Sequence, residues 1–468
     1  MYTLMPLIFL LGIFAIALED RIRINKAAIA LFMAISLWLI LMIDAYNIFI
    51  MHENPLFREF LSKNPEAVSL PVHEQFVHFI SDTNIVYHLG DVSETLFFVM
   101  CSMLIVEIVD RHGGFRAMSN YLATTDKRKL LWQISLATFF FSALLDNLAA
   151  AIIVMAVLRK LVPDRTDRLK YACMAVIAAN AGGCWSPIGD VTTILLWVGK
   201  NVTARHQISH LFIPALITLL VPLVIAHFWL FKKGARLRVP SEKDTAGDVP
   251  DIPTSAQHAI FIIGILSLVL VPVFQILTGL PPFLGVLAGL TVLWLYTDIM
   301  YSRIDLKENK KLRISRLLPS VDLATIFFFL GILMAVGALE TSGHLAVMSG
   351  FLDTHIHQPY LIGFLIGLLS SGIDNVALVA ATIGMYPIAD SAAELSAYTA
   401  HFVTDGGFWT FLAYCGVTGG SILIIGSATG VTVMGLEKIN FMYYLKRFTP
   451  LALLGYLCGA GVYLLLFA

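Results

Sequence analysis

The chain of 468 residues is 58% hydrophobic and only 13% charged, with a mean hydropathy of +0.81. Soluble domains usually carry about 25% charged residues, so the composition excludes a soluble globular protein and predicts an all-α polytopic membrane protein in a lipid bilayer. Because 31 Lys and Arg balance 32 Asp and Glu, the net charge indicates no particular partner, and no nucleic acid is expected.

The first predicted element is the apolar N-terminus, MYTLMPLIFLLGIFAIAL. It lacks a basic start and a small-residue cleavage site, so we expect a membrane helix rather than a removed signal peptide. A helix needs about 20 apolar residues to cross about 30 Å of hydrocarbon. About ten full spans are predicted, at residues 2–18, 27–50, 92–109, 171–199, 208–231, 258–278, 280–299, 323–341, 400–434 and 442–467.

Two further apolar segments, 130–161 and 358–388, are predicted to be re-entrant helical hairpins. As one straight helix the first would be roughly 48 Å long, too long for a single crossing. Basic loops flank it on both sides and mark the cytoplasmic side, whereas the second has no basic flank and should dip in from outside. The basic loops are EDRIRINK, DRHGGFRAMSN…DKRK, RKLVPDRTDRLK, FKKGARLR and SRIDLKENKKLRISR, which predicts that the N-terminus lies outside.

The two halves of the chain resemble each other. ETLFFVM (94–100) resembles ATIFFFL (324–330), LLDNLA resembles GIDNVA, and AGGCWSPIGDVTT (181–193) resembles TGGSILIIGSATG (418–430). Span 92–109 should run inward and span 323–341 outward, so the repeat is inverted, as in secondary transporters with interrupted helices. The predicted regions are N-terminal spans and the start of an external loop (1–84), repeat 1 (85–235), linker loops with spans 258–278 and 280–299 (236–315), and repeat 2 (316–468).

The tips of the two hairpins carry the same polar pair. Asp146 and Asn147 interrupt FFFSALLDNLAAAIIVM, and Asp374 and Asn375 interrupt SSGIDNVALVAATI. A buried charge of this kind costs at least about 2.5–3.5 kcal/mol, and hard oxygen donors suit Na⁺ or Li⁺. The alternative is that each Asp merely caps the helix that follows the turn, and capping and ion binding can coexist.

The segment NAGGCWSPIGDVTT predicts an unwound stretch within span 171–199, because its glycines and proline are poor helix formers. Asn180 precedes the break, Asp190 follows it, and Thr192 and Thr193 add hydroxyl oxygens; a glycine-rich packing face is the alternative. The counterpart at 418–430 has Ser427 in place of the aspartate. Thr418, Ser421 and Thr429 supply further hydroxyl oxygens there, and we expect Thr418 and Ser421 to take part in ion or proton binding.

These carboxylates suggest how such a site could work. Desolvation disfavours a charged carboxylate and a neighbouring cation favours it, so a proton and Na⁺ compete for the same group, and alternating access then exchanges one for the other. Asp146, Asp190 and Asp374 are the expected shared site. Glu94, with His88 six residues before it, could relay protons or serve only as an interfacial anchor. No cofactor and no enzymatic activity are expected.

The segments LLDNLAAAIIVM, ANAGGCWSPIGDVTTI and GIDNVALVAA resemble those of the NhaD family of Na⁺/H⁺ antiporters. The resemblance implies a scaffold with a mobile transport unit, a homodimer, and a bacterial inner (plasma) membrane location. It also implies functional roles for ten residues, with Na⁺ at Asp146, Asn147, Asp190 and Thr193. The ten are Asp146, Asn147, Asn180, Asp190, Thr192, Thr193, Ser370, Asp374, Asn375 and Ser421.

Two other functions fit parts of the pattern. An anion transporter of the same architecture, for dicarboxylates, citrate or arsenite, is the nearest alternative, although aspartates at both tips would repel an anion. An intramembrane aspartyl protease could use Asp146 and Asp190 as an acid dyad, but it would need neither the repeat nor the third acid. A scaffold protein would have no reason to bury these acids.

Overall fold

The computed structural model describes residues 3–17, 19–114, 124–232, 234–237, 252–303, 317–389 and 396–468. Within these ranges the chain is helical apart from turns, loops and one isolated bridge between Asp126 and Arg236. The predicted all-α polytopic class is confirmed. Several predicted features lie outside the described residues: ends 2 and 18 of the first span, parts of the basic loops (115–123, 233, 238 and 304–316), and linker residues 239–251.

The N-terminal part contains two apolar helices and a long helix that begins earlier than predicted. Its helices are α1 (Leu4–Ala17), α2 (Glu19–Ile22), α3 (Lys26–Ile43), α4 (Pro55–Lys63), α5 (Pro65–Val68), α6 (Val72–Val77) and α7 (Val86–Arg111). A π-helical stretch joins α6 to α7, so helix is continuous over 72–111 instead of starting at 92. Phe76 and Phe79 explain the difference, because their rings pack 5.9 and 5.1 Å from the ring of Phe49 and bury one face of this polar segment.

The first hairpin and the first interrupted helix follow. They consist of α8 (Lys127–Leu145), α9 (Asn147–Leu161), α10 (Arg165–Cys184) and α11 (Val191–Val198). The glycine pair predicted to unwind the helix stays helical at the end of α10, and the break begins after it. Gly182 serves close packing instead, since an added Cβ would overlap the carbonyl oxygen of Phe139 on α8.

The middle of the chain contains α12 (Ala204–Trp229), α13 (Thr254–Val269), α14 (Val271–Thr278), α15 (Pro282–Arg303), α16 (Leu323–Thr341) and α17 (His344–His355). The second hairpin and interrupted helix are α18 (Pro359–Leu369), α19 (Asn375–Met385), α20 (Gly407–Gly419) and α21 (Ala428–Glu437). They are followed by α22 (Phe441–Arg447) and α23 (Thr449–Phe467). Both predicted hairpins therefore consist of two helices joined at an Asp-Asn pair.

Six described helices are long and apolar enough to cross a membrane, and the pair α13 and α14, bent by 46°, makes a seventh. These seven correspond to seven of the ten predicted spans. The other three are α1, with 14 residues, and the two interrupted helices. Of their pieces, α11, α20 and α21 have only 8, 13 and 10 residues, whereas α10 has 20 residues but begins with several charged ones. By length and composition the polytopic prediction holds.

Helix packing reflects the internal repeat. α8 packs on α10 as α18 packs on α20, and α9 packs on α21 as α19 packs on α11. The pairs α7 with α16 and α12 with α23 join corresponding helices of the two halves. Exchanging the halves maps this contact pattern onto itself, so the interruptions of both halves converge at the centre of the molecule.

Candidate functional site

A central cavity of about 40 Å³ lies where the hairpin turns meet the break between α10 and α11. Such a space holds about one water molecule or a bare ion. Its polar lining comes from both halves and consists of Asp146, Asn147, Asp190, Asp374, Asn375 and Thr325, of which Thr325 was not predicted from the sequence. The described lining contains no Lys, Arg or His, so three carboxylates share the cavity without a basic side chain.

Asp190 is held between the two hairpins. It is 3% exposed and caps α11, where Oδ1 accepts the Thr192 N–H at 2.7 Å. Asn375 Nδ2 lies 3.4 Å from the same oxygen, and Asn147 Nδ2 donates to Oδ2. Amides of both hairpin tips therefore orient the one carboxylate that an interrupted helix contributes to the described lining of the cavity.

A buried polar chain continues from Asn147 into the second half. Asn147 Nδ2 lies 3.2 Å from Asn180 Oδ1, and Asn180 Nδ2 donates to Ser427 Oγ at 3.2 Å. Ser427 caps α21 in the way that Asp190 caps α11. The predicted correspondence of these two positions is thus visible in the structure, and the chain couples the first hairpin to both interrupted helices.

Asp146 and Asp374 each cap the helix after their turn. Asp146 Oδ1 accepts the N–H groups of Leu148 and Ala149 at 2.6 and 3.2 Å, and Asp374 Oδ1 accepts that of Val376 at 3.0 Å. Among the described residues these carboxylates accept hydrogen bonds through Oδ1 alone, which leaves Oδ2 available as a ligand. Asp146 also has a φ of 82°, a backbone conformation that is rare outside glycine and is tolerated at functional sites.

The predicted hydroxyl ligands do not line the central cavity. Thr193 Oγ1 donates to the Asp190 carbonyl at 2.8 Å, and Ser370, Thr418 and Ser421 donate to the carbonyls of Gly416, Tyr414 and Thr418 at 2.6–2.7 Å. Among the described residues, Thr192 Oγ1 is buried without a well-aligned hydrogen bond, although it lies beside the Asp190 carboxylate. Their role as ion ligands stays a prediction, and the described geometry assigns four of these hydroxyls to the backbone.

A larger cavity of about 300 Å³ lies one helical turn from the central one, and we name it the outer cavity after the predicted orientation. It is lined by His88 and Glu94, as well as by Asp91, Lys200 and Glu340, which the sequence analysis did not single out. Residues 88, 91 and 94 recur at three-residue spacing, which places them on one face of α7; this spacing was the missed signal. His88 Nε2 lies 3.2 Å from Thr341 Oγ1.

One helical turn separates the two cavities on each of four helices. On each helix, one residue that lines the outer cavity lies four positions from one that lines the central cavity. The pairs are Thr95 and Val99, Leu195 and Val191, Leu333 and Phe329, and Ala380 and Val376. Residue numbers rise from the outer to the central cavity on α7 but from the central to the outer cavity on α16. These corresponding helices therefore run in opposite directions, as an inverted repeat requires.

An ion cluster joins the two halves at the end of α21. Glu437 is 3% exposed and accepts hydrogen bonds from Arg159 Nε at 2.7 Å and from Arg168 Nε at 2.8 Å. Arg165 Nη2 donates to the Lys438 carbonyl at 3.1 Å. Burial alone would raise the pKa of Glu437, but the hydrogen bonds and charges of Arg168 and Arg159 hold it below its usual value.

Across the described residues, no three His, Cys, Asp or Glu side chains form a chelating group of their own. A cation in the central cavity would therefore combine carboxylate oxygens with amide or backbone oxygens, which suits a hard ion such as Na⁺ better than a transition metal. The arrangement can accept either a proton or a small cation, because both neutralise the same carboxylates.

Comparison with known proteins identifies the family of the chain. The family described as "Citrate transporter" (CitMHS) matches residues 7–405. The chain is 37% identical over 461 residues to "Sodium/proton antiporter 1" of Arabidopsis thaliana, covering 98% of this chain and 72% of the relative. It is 29% identical over 409 residues to "Na(+)/H(+) antiporter NhaD" of Vibrio cholerae, covering 81% of this chain and 80% of the relative.

Proposed function

The chain belongs to the citrate transporter family and, within it, to the NhaD sodium/proton antiporters, and on this basis we propose that it exchanges Na⁺ or Li⁺ for H⁺ across a membrane. One observation carries the proposal. The central cavity brings Asp146, Asp190 and Asp374 together with two amide side chains and, among the described lining, no basic residue.

Exchange follows from competition within this cavity. A cation is held by Oδ2 of Asp146 or Asp374 together with oxygens around Asp190, and each carboxylate that takes a proton ceases to be a ligand. Asn147 and Asn375 orient Asp190 from the two hairpins, so an ion bound in the cavity changes contacts in both halves of the chain. Because the empty site carries several negative charges, the protein changes access only when protons or a cation neutralise them.

His88 and Glu94 are proposed to pass protons between the central cavity and the outer side. Both line the outer cavity, which begins one helical turn from the central one. In the predicted orientation this cavity opens away from the cytoplasm. Replacing either residue should lower the exchange rate at limiting proton concentration and leave the apparent affinity for Na⁺ at the cytoplasmic face unchanged.

Transport of an anion such as citrate is the second candidate, because the matching family bears that description. Electrostatics argue against it here. Three carboxylates in a cavity of about 40 Å³ would repel a carboxylate substrate unless several cations were bound with it, and citrate is larger than that space. Uptake of labelled citrate or succinate, with and without Na⁺, distinguishes the two candidates.

The finer setting is also proposed rather than measured. We place the protein in a bacterial inner membrane as a homodimer, with its N-terminus outside, on the strength of the basic loops and the family resemblance. Light scattering of the purified protein tests the dimer, and labelling of single cysteines placed at each end tests the orientation. The names of its relatives are those of transporters, and no enzymatic reaction is proposed.

The exchange is tested in everted membrane vesicles from a host without its own Na⁺/H⁺ antiporters. Adding NaCl or LiCl should collapse a preformed ΔpH, reported by a pH-sensitive dye, and KCl serves as comparison. Asp146→Asn and Asp190→Asn should reduce this response at least tenfold. Asp126→Asn is the matched control, since Asp126 caps α8 through the N–H groups of Arg128 and Lys129 just as Asp146 caps α9 but lies outside the cavity.

Two results would contradict the proposal. If no alkali cation collapses ΔpH with the wild-type protein, the exchange function is wrong. If the variants at the cavity respond like Asp126→Asn, exchange takes place but the central cavity is not its site.

A further inference from the structure

A third cavity, which we name the inner cavity, meets the central one on the side away from the outer cavity. It measures about 40 Å³ and is lined by Ile16 and Glu19, which precede α3, by Lys26, and by Asp374, Ser427 and Ala428. Asp374 and Ala428 also line the central cavity. The N-terminal segment, which carries none of the family motifs, therefore forms one wall of a space that ends at a proposed ion ligand.

The charged residues of this wall are fixed by contacts. Lys26 is the first residue of α3, and its Nζ lies 4.4 Å from the ring centre of Phe328. Phe328 is followed by Phe329, which lines the central cavity. Glu19 Oε1 accepts the backbone N–H of Lys26 at 3.0 Å, so the two side chains stay together at this end of the cavity.

The position of Lys26 is unfavourable for a helix on its own. A cation in the first turn opposes the positive end of the helix dipole, at a cost of about 0.3–1 kcal/mol. Its contact with Phe328 offsets a similar amount. A lysine at this site therefore adds little stability, whereas its charge is the only positive one among the described residues that line the central and inner cavities.

The basic loop EDRIRINK, which contains Glu19 and Lys26, marks the cytoplasmic side. We propose that Glu19 and Lys26 form the cytoplasmic mouth of the cation path, and that Lys26 sets the cation affinity on that side; this proposal rests on the exchange function above. The fixed ammonium lowers cation occupancy at Asp374, and Glu19 opposes it. Weak binding at this mouth keeps protons competitive with Na⁺, because a tightly held cation would not be displaced.

The test compares the two faces of the membrane. Everted vesicles expose the cytoplasmic face to added Na⁺, and right-side-out vesicles expose the other face. Ionic strength is held constant with choline chloride, because salt screens exposed charges. The readout is the apparent KM for Na⁺ separately from the maximal rate, since a purely structural defect lowers the rate on both sides without a selective change in KM.

Lys26→Gln should lower the KM at the cytoplasmic face by about three- to tenfold. This is the effect expected when one charge is removed from the cavity that Asp374 also lines, in a partly polar surrounding. The KM at the opposite face should stay within about twofold, and Lys26→Arg should resemble the wild type. Glu19→Gln keeps the hydrogen bond to the Lys26 N–H and should raise the cytoplasmic KM. Arg23→Gln is the matched control, because it removes a positive charge from the same loop at an exposed residue outside the cavity.

The proposal is overturned if Lys26→Gln gives the same cytoplasmic KM as Arg23→Gln, or if both faces change equally. If Lys26→Gln does not fold, Glu19→Gln is the deciding variant. An unchanged cytoplasmic KM for Glu19→Gln would then refute the proposal that these residues form the cytoplasmic mouth. A wild-type protein without cation-dependent ΔpH collapse would instead refute the exchange function itself, so the two failures are distinct.

Discussion

Glu437→Gln should destabilise the protein by roughly 2–3 kcal/mol, because it leaves two guanidinium groups without their carboxylate. Removing one partner of a buried ion pair costs about 3–5 kcal/mol, whereas an exposed pair contributes about 0–1 kcal/mol. The Arg168 side chain is only 17% exposed but that of Arg159 is 48% exposed, so most of the loss comes from Arg168. With the unfolding entropy expected for 468 residues, this corresponds to a fall in Tm of about 2–3 °C.

The pH dependence of this effect has a definite sign. The folded pKa of Glu437 lies below its usual value, so its stabilisation is fully present above the unfolded pKa of about 4.3 and is lost as pH falls through the folded pKa. The difference in Tm between wild type and Glu437→Gln should be complete at pH 7 and should shrink in acid below about pH 4.

The measurement is thermal unfolding of the purified protein in detergent, followed by tryptophan fluorescence across this pH range. Glu59→Gln is the control, because Glu59 forms an exposed pair with Lys63 at 2.6 Å and should change the stability by at most about 0.5 kcal/mol. The reasoning is refuted if the two variants have equal Tm values at pH 7, or if the Tm difference of Glu437→Gln persists undiminished in acid.

Two further substitutions test packing and ligand assignments. Gly182→Ala should lower the free energy of unfolding by about 1–3 kcal/mol, because its Cβ would overlap the Phe139 carbonyl. The control is Gly461→Ala, which has nothing within 4 Å of the new Cβ and should be neutral or stabilising by up to about 1 kcal/mol. Equal Tm values for the two variants would contradict this. Thr192→Val removes a buried hydroxyl that has no well-aligned hydrogen bond but lies beside Asp190. We therefore expect a nearly unchanged Tm and KM for Na⁺, and a tenfold rise in KM would show that this hydroxyl contributes to cation binding.

Local signals were sufficient to predict the interruptions. An Asp-Asn pair inside an apolar run is costly in a membrane unless it ends one helix and caps the next, and the structure has such caps at Asp146 and Asp374. The caps use Oδ1 of both aspartates, so capping leaves Oδ2 for a cation, and ion binding stays a prediction. The same reasoning placed Asp190 at the start of α11.

Other features depend on contacts that one sequence does not contain. The early start of the long helix comes from Phe76 and Phe79 packing on Phe49. The polar residues around Phe76 and Phe79 make this segment read as a loop in the sequence. Glu340 lies at the end of α16, a position that usually faces solvent, and lines the outer cavity only because α7 and α19 pack beside it. The hydroxyls of the glycine-rich segments were expected to point to the ion, but those of Thr193, Thr418 and Ser421 donate to backbone carbonyls three or four residues earlier.

The cavities on the two sides of the central site differ in size and lining, so opening the site outward and opening it inward require different motions. Toward the outer side, a layer one turn thick, about 6 Å along each helix, separates the central cavity from a space of about 300 Å³. Toward the other side lies a space of about 40 Å³, and at the end of α21 the cluster around Glu437 ties α9 and α10 to α21. In the predicted orientation, opening outward requires displacement of the apolar layer formed by Val99, Val191 and Phe329, whereas opening inward requires Lys26 to move away from Phe328. The first motion exposes apolar groups and the second breaks a cation–π contact of about 0.5–2 kcal/mol, so Phe329→Ala, which reduces only the apolar layer, should favour outward access.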